Sequence, residues 1–191
     1  MASAHTTKGS LAGQLLVAMP QMRDSRFERA VIYLCAHNKD GALGLIVNKP
    51  FKRLSFEDLL EQLEIESSPR TQQIRVLAGG PVEEGRGFVL HSDDYLREDS
   101  LKVEGGFALT ATIEILKAIA QGEGPHHSLL ALGYSGWGPG QLEREIGENG
   151  WLNVPADAAI VFDETLDRKW ERALAVLKLT PSTLSGFSGR A

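Results

Sequence analysis

Two residues of one predicted strand, Cys35 and His37, have the types and spacing for thiol chemistry. In a strand, alternate residues share a face, so an imidazolium at His37 would lie beside the Cys35 sulfur and lower its pKa. That arrangement predicts a redox-responsive or nucleophilic thiol. A competing interpretation makes Cys35 a small core residue and His37 a solvent-exposed strand end, because a free cysteine is among the most buried residue types. The sequence favours the core interpretation and leaves both open.

The remaining histidines and carboxylates do not form a recognised catalytic or metal motif. His91 precedes the adjacent pair Asp93 and Asp94, but the chain has no HExxH pattern. With a single cysteine, an internal disulfide framework and a zinc site of several cysteines are excluded. We therefore predict no metal, no cofactor and no catalytic residue, and expect a protein that is not an enzyme.

The segment from Gly133 to Gly140 concentrates glycine with Tyr134, Trp137 and Pro139 before a helical pattern. It lacks the third glycine of a dinucleotide fingerprint and the lysine of a phosphate-binding loop. We predict an ordered turn in which at least one glycine has positive φ and Pro139 begins the helix. Buried, Trp137 would make the turn architectural; exposed, it would make the turn a contact surface. We expect burial, yet keep as a candidate binding surface Asn48, Gly79, Gly80, Pro81, Tyr134, Trp137, Gly138 and Gln141.

Hydrophobic periodicity indicates paired strands with single helices between them. Strands are predicted at 14–18, 30–36, 42–48, 74–78, 88–91, 128–132 and 159–162, and helices at 56–63, 111–121, 139–147 and 166–177. Ser55 as N-cap and Asp58 three residues later predict a capping box at the start of the first helix, and an apolar stripe through Trp170 predicts the last helix. The second and third strands form a hairpin about Asn38–Gly41, and the fourth and fifth are predicted to pair. Strands in hairpins with single helices favour a single domain of the α+β class. Residues 1–10 are predicted to be a flexible tail and residues 11–191 the domain.

The charge of the chain is unevenly distributed. The net charge is −5, yet residues 1–53 carry eight basic and three acidic side chains, whereas residues 54–191 carry twelve and twenty-two. A basic cluster in the first part could meet RNA, while the acidic remainder makes duplex DNA an improbable partner. That cluster comprises Arg23, Arg26, Arg29, Lys49, Lys52 and Arg53. No apolar run is long enough to span a membrane, so we expect no membrane partner and a cytoplasmic protein.

Several motifs together resemble the YqgE/AlgH family of bacterial proteins. They occupy residues 11–20, 27–35, 41–50, 79–82, 133–145, Trp151 and 187–191. The resemblance implies a largely antiparallel, barrel-like sheet core flanked by three to four helices. It implies no settled activity, although some members are labelled transcriptional regulators.

These observations lead to three hypotheses for the function. The first is a cytoplasmic, non-enzymatic regulatory or interaction protein, with an unknown protein as its partner. The second is a small-molecule-binding or redox-responsive protein that uses Cys35 and His37. The third is an RNA-binding protein that uses the N-terminal basic cluster.

Overall fold

The fold is described from a computed structural model, which defines residues 2–3 and 9–185. The strands there are β1 Ala2–Ser3, β2 Gln14–Ala18, β3 Val31–Asn38, β4 Gly41–Ile46, β5 Val76–Ala78, β6 Val82–Ser92, β7 Leu101–Val103, β8 Phe107–Thr110, β9 Ser128–Trp137 and β10 Trp151–Pro155. The helices are α1 Phe56–Gln62, α2 Ile113–Ala120, α3 Gln141–Gly147, α4 Ala158–Val161, α5 Lys169–Val176 and α6 Pro181–Ser185. Two 3-10 turns cover Ser25–Phe27 and Leu166–Arg168.

One curled, largely antiparallel sheet organises the molecule as a half-barrel. Its strand order in the described residues is β1-β7-β8-β6-β9-β4-β3-β2-β10, and β5 also pairs with β9. The pairs β1·β7 and β5·β9 are parallel. The predicted α+β single domain with a barrel-like antiparallel sheet is therefore confirmed, although the helices of the described part number six and some are only four or five residues long.

The hairpin of β3 and β4 follows the sequence prediction. Tyr33 lies opposite Leu45, and the register shifts by one residue between Leu34 and Ala36. Val31, Tyr33 and Cys35 belong to the same buried core cluster, as period-2 patterning predicts.

Two strand predictions are wrong. The segments at 74–78 and 88–91 do not pair with each other: Val76 and Val89 both lie beside Leu130, on opposite sides of β9. The segment at 159–162 is not a strand either. It forms helix α4, which Asp157 caps by accepting a hydrogen bond from the Ala159 backbone N–H at 2.9 Å. The strand prediction failed because a short apolar run fits a buried helix as well as a strand.

Helices cover the sheet through apolar stripes. Helix α2 buries Ile115, Leu116 and Ile119, and α5 buries Trp170 and Leu174. Helix α1 begins with the predicted capping box, since the Ser55 hydroxyl accepts from the Asp58 N–H and the Asp58 carboxylate accepts from the Ser55 N–H, each at 3.1 Å. These contacts hold α1 and α2 as the walls of the apolar groove described below, and hold α5 beside the cleft described below.

Two further expectations concern the ends and surface of the chain. Of the predicted flexible tail, residues 1 and 4–8 lie outside the described residues, so the tail stays a prediction. In the described part of the chain, none of the helices combines the length and the apolar character needed to cross a membrane.

Candidate functional site

The predicted glycine turn is part of strand β9, and the turn prediction is wrong over residues 133–137. Leu132 pairs with Gly87 of β6, while Ser135 pairs with Gly44 of β4. Tyr134 still pairs with Val82 of β6, so the strand changes partners between Tyr134 and Ser135, directly after Gly133, where φ is +77°. Helix α3 begins at Gln141 after Gly140, whose φ is +72°, so the positive φ was predicted correctly and the helix start at Pro139 was not.

Gly79, Gly80 and Gly133 form a backbone crossing that we call the glycine junction. The Gly79 N–H donates to the Leu132 carbonyl at 2.8 Å, and the Gly79 carbonyl accepts from the Ile46 N–H at 2.9 Å. A Cβ on Gly79 would lie 2.3 Å from the Gly133 oxygen, and one on Gly133 would lie 2.4 Å from the Gly80 oxygen. Glycine is required here because no side chain fits between the two backbones.

The large residues beside the junction also make internal contacts. The Trp137 side chain is buried, packs edge-on against Trp151 at 6.0 Å between centroids, and donates to Glu145 Oε1 at 3.4 Å. Tyr134 is half-buried and meets Phe88 edge-on at 5.9 Å. The expected burial of Trp137 is what the structure shows.

The polar members of the predicted surface act as connectors. Gln141 accepts from the Gly138 N–H at 3.0 Å and donates to Glu145 Oε2 at 3.0 Å. Asn48 accepts from the Val31 N–H at 2.9 Å and donates to the Arg29 carbonyl at 2.8 Å. Pro81 lies half-buried directly after the junction. Use of these residues as a binding surface stays a prediction, and the contacts seen are internal.

The structure gives Cys35 and His37 separate surroundings. Cys35 is buried in the core, which raises the pKa of its thiol to about 12. The His37 side chain is only 6% exposed, contrary to the solvent-exposed strand end expected for it. Its Nδ1 accepts from the Leu11 N–H at 2.9 Å, so Nε2 carries the proton toward Glu143 Oε1 at 2.5 Å. A desolvated thiol is the opposite of the reactive thiolate environment.

Hydrogen bonds also join Ser92, Asp94 and His126, but Asp94 lies between the other two side chains, an arrangement that does not support nucleophilic catalysis. Asp94 accepts from the Ser92 hydroxyl, the His126 ring and the His126 backbone N–H. Burial would raise the pKa of Asp94, yet these hydrogen bonds outweigh it and lower that pKa to about 2. The serine hydroxyl faces the weakly basic Asp94 carboxylate rather than the His126 imidazole, so this cluster joins two loops. Within residues 2–3 and 9–185, no cluster of histidine, cysteine and carboxylate side chains could hold a metal ion.

A cleft of about 150 Å³ lies between the starts of the parallel strands β5 and β9 and the chain around α4. Its floor is formed by the buried residues Leu77, Leu129, Val161 and Leu166. Its mouth is polar and carries Gln72, Arg75, His126, His127, Asp163 and Glu164. His127 is held at the mouth by stacking on Phe162 at 5.6 Å between centroids.

Lys169 lies at the floor of this cleft and is 1% exposed. Its Nζ donates to the Val47 carbonyl at 2.8 Å and to the Val161 carbonyl at 2.6 Å. Burial lowers the pKa of Lys169 to about 8, against the smaller opposing effect of Asp163. Sequence reasoning missed this residue because helical lysines are usually exposed. The available signal was its place in the apolar stripe, three residues after Leu166 and four before Ala173.

A second, apolar groove of about 230 Å³ separates α1 from α2. Leu59 and Leu63 form one wall, and Ile113 and Leu116 form the other. The sheet supplies its floor through Val89, Leu130 and Leu132, with Gly85 and Gly87 leaving one side open. Ile113 is 49% exposed and Leu63 37% exposed, which is unusual for large apolar side chains that share one groove.

Comparison with known proteins confirms the resemblance expected from the sequence. A family model described as AlgH-like matches residues 15–182. A protein of Beijerinckia indica described as a UPF0301 protein is 51% identical over 99% of this chain and 96% of its own length. One of Methylocella silvestris with the same description is 52% identical over 95% of this chain and 92% of its own length.

Solved structures agree with the fold. The solution structure of the AlgH protein from Pseudomonas aeruginosa is 40% identical, has a TM-score of 0.77, and covers 98% of this chain and 97% of its own. A crystal structure of a Corynebacterium diphtheriae protein, at 21% identity, has a TM-score of 0.71 and covers 90% of this chain and 89% of its own, which supports the fold alone.

Proposed function

The chain belongs to the AlgH-like family, and we propose that this member is a cytoplasmic interaction protein that docks a basic amphipathic helix of a partner protein. The docking site is the apolar groove between α1 and α2. The observation that carries the proposal is the exposure of Leu63 and Ile113 on opposite walls of one groove. An amphipathic helix inserts its apolar side chains into grooves of this kind.

The charge around the groove selects the chemistry of the partner. The segments that wall it, at 56–66, 83–86 and 111–117, carry eight acidic side chains and two basic ones. One of the two, Lys117, is paired with Glu114 at 3.4 Å. A helix with lysine or arginine beside its apolar stripe would therefore be attracted to this rim, and an acidic helix would be repelled.

One polar group in the groove also lacks a partner. Thr112 lines the groove, and its Oγ1 atom is buried with no hydrogen-bond partner in the part of the chain that the structure describes. A buried hydroxyl without a partner is unfavourable by about 1–3 kcal/mol, so a polar side chain of the docked helix would relieve it.

The proposal is tested with two synthetic peptides, a short amphipathic helix of leucine and lysine and its leucine and glutamate counterpart. We expect the lysine peptide to bind the full-length chain in fluorescence anisotropy, with affinity that falls as salt is added. The Ile113→Glu variant should lose binding by about tenfold or more, since a charge then occupies the groove. Because this variant adds negative charge, non-specific attraction of the basic peptide would increase rather than fall.

Val176→Glu is the matched control, because Val176 is 43% exposed on α5, away from the groove. It should bind the lysine peptide as the wild type does. Equal binding of both peptides, or unchanged binding by Ile113→Glu, would contradict the proposal. Failure of the lysine peptide to bind, together with wild-type self-association that Ile113→Glu abolishes, would assign the groove to a second copy of the chain instead.

A further inference from the structure

We infer that Lys169 is a nucleophilic amine at the floor of the cleft beside β5 and β9, and that it binds a short oxo acid reversibly as an imine. The site is separate from the apolar groove, and the inference does not depend on the proposed docking function. It rests on the hydrogen bonds of Lys169, the size of the cleft and the groups at its mouth.

The hydrogen bonds of Nζ match a neutral amine. A neutral amine has two N–H groups and one lone pair, whereas an ammonium group has three N–H groups. The two carbonyls of Val47 and Val161 accept two N–H groups. No further partner of Nζ is found in the described residues, and the side chain lines the cleft, so the lone pair is left for a molecule that enters there.

The charges around Lys169 also favour the neutral form at mildly alkaline pH. Burial contributes most to the lowering of its pKa to about 8, and Arg75 and Arg172 lower it further. Asp163 opposes them but is itself paired with Arg172. A lysine of lowered pKa in a water-poor pocket is the usual state of imine-forming lysines.

The cleft limits the ligand to a short molecule. Its volume of about 150 Å³ equals the liquid volume of about five water molecules, which corresponds to a compound of a few non-hydrogen atoms. Arg75 at the mouth supplies a cation for a carboxylate. Gln72 also lines the cleft, and its Oε1 atom is buried without a partner in the described residues, so this atom would accept from a hydroxyl group of the ligand.

The chemical step is balanced without an oxidant or a reductant. The Nζ lone pair attacks the carbonyl carbon and a C–N bond forms, while one proton moves from the nitrogen to the carbonyl oxygen to give a neutral carbinolamine. The hydroxyl group takes up a second proton from solvent, the C–O bond breaks, and water leaves as the nitrogen lone pair completes a protonated imine. Overall, the reaction consumes one amine, one carbonyl group and one proton, and it releases one water molecule. The protonated imine keeps one N–H, which still donates to one of the two backbone carbonyls.

The experiment uses the full chain with glyoxylate as the probe and sodium cyanoborohydride to trap any imine as a secondary amine. Peptide mass mapping then reports which lysines are modified. We expect Lys169 to react about tenfold faster than the exposed Lys52 and Lys178, despite its burial. The ratio of Lys169 modification to Lys52 modification should be largest at or below about pH 8. It should fall at higher pH, as ordinary lysines with a pKa near 10.4 become neutral too.

Two variants separate binding from reactivity. Lys169→Arg should abolish the fast modification. Arg75→Gln should slow glyoxylate several-fold more than the uncharged probe acetaldehyde, which loses only the small effect of Arg75 on the pKa of Lys169. Modification of wild-type Lys169 no faster than that of Lys52 would overturn the inference, and that measurement needs no variant to fold. An equal loss of both probes in Arg75→Gln would remove the oxo acid as the ligand class.

Discussion

At the scale of single residues, His91 belongs to a buried chain of hydrogen bonds. Its Nδ1–H donates to the Ser92 carbonyl at 2.8 Å, so its Nε2 accepts from the Thr110 hydroxyl at 2.8 Å. Thr110 in turn accepts from Ser100 at 2.9 Å. A proton on Nε2 would force the Thr110 hydroxyl to turn from donor to acceptor, and burial lowers the pKa of His91 below its ordinary value of 6.5.

The buried hydrogen bonds of His91 predict that the protein loses stability in mild acid. As the pH falls below about 6.5, the unfolded chain takes up a proton at His91 before the folded chain does, so the free energy of unfolding decreases. Urea titrations between pH 8 and 5 should show a smaller decrease for His91→Gln than for the wild type. Equal slopes for the wild type and His91→Gln would contradict the prediction.

Cys35 gives a second prediction at this scale. With a pKa of about 12 and no solvent access, the thiol should react slowly with a maleimide reagent in the native protein and rapidly after unfolding. Cys35→Ala should lower the free energy of unfolding by about 1 kcal/mol, since it removes a packed side chain. Fast labelling of the native protein would instead support the redox hypothesis.

At the scale of elements, glycine is required in and near the glycine junction for two different physical reasons, close backbone contact and positive φ. Gly79→Ala adds a Cβ against a backbone, Gly140→Ala adds only φ strain because nothing lies within 4 Å, and Gly133→Ala does both. We expect losses of about 3 kcal/mol or more at Gly133, somewhat less at Gly79 and about 1 kcal/mol at Gly140, as measured by urea unfolding.

The control for this series is Gly147→Ala within α3. A Cβ there meets nothing within 4 Å, and alanine favours a helix over glycine by roughly 0.5–1 kcal/mol. Gly147→Ala should therefore be neutral or slightly stabilising. A Gly133 variant as stable as the Gly140 variant would show that the two backbones can separate and that the junction is not a tight crossing.

At the scale of the whole molecule, the distribution of charge determines how strongly the protein is expected to bind nucleic acid. Residues 54–191 carry the acidic excess, and the structure brings part of the basic cluster together, since Asn48 links the segments of Arg29 and Lys49. Some of these cations are engaged: Arg26 pairs with Asp24 at 2.7 Å, and Arg29 lies over the Trp170 ring at 4.8 Å.

We therefore expect weak binding to duplex DNA that disappears as salt is raised to physiological levels, in an anisotropy titration. Single-stranded RNA is the comparison that tests the basic cluster, and Lys49→Glu with Lys52→Glu is the variant that should remove any binding found. Tight, sequence-selective binding to duplex DNA at physiological salt would contradict the prediction and support a role as a transcriptional regulator.

The amino-acid sequence by itself determined the features that depend on neighbouring residues. Period-2 patterning about a turn predicted the β3·β4 hairpin, Ser55 and Asp58 predicted the start of α1, and the stripe through Trp170 predicted α5. The motifs also identified the family. Each of these signals lies within one or two adjacent elements, where spacing alone fixes which side chains meet.

Only the tertiary structure decided the contacts between distant parts of the chain. Local patterns do not state which strand edge meets which, so the positions of β5 and β6 on either side of β9 could not be predicted. Gly79 and Ser135 meet across 56 positions of the sequence, so two distant segments of the chain lie at one crossing. The buried Lys169 donates a hydrogen bond to the carbonyl of Val47, 122 positions away, and no spacing rule relates residues that are brought together only by the curl of the sheet.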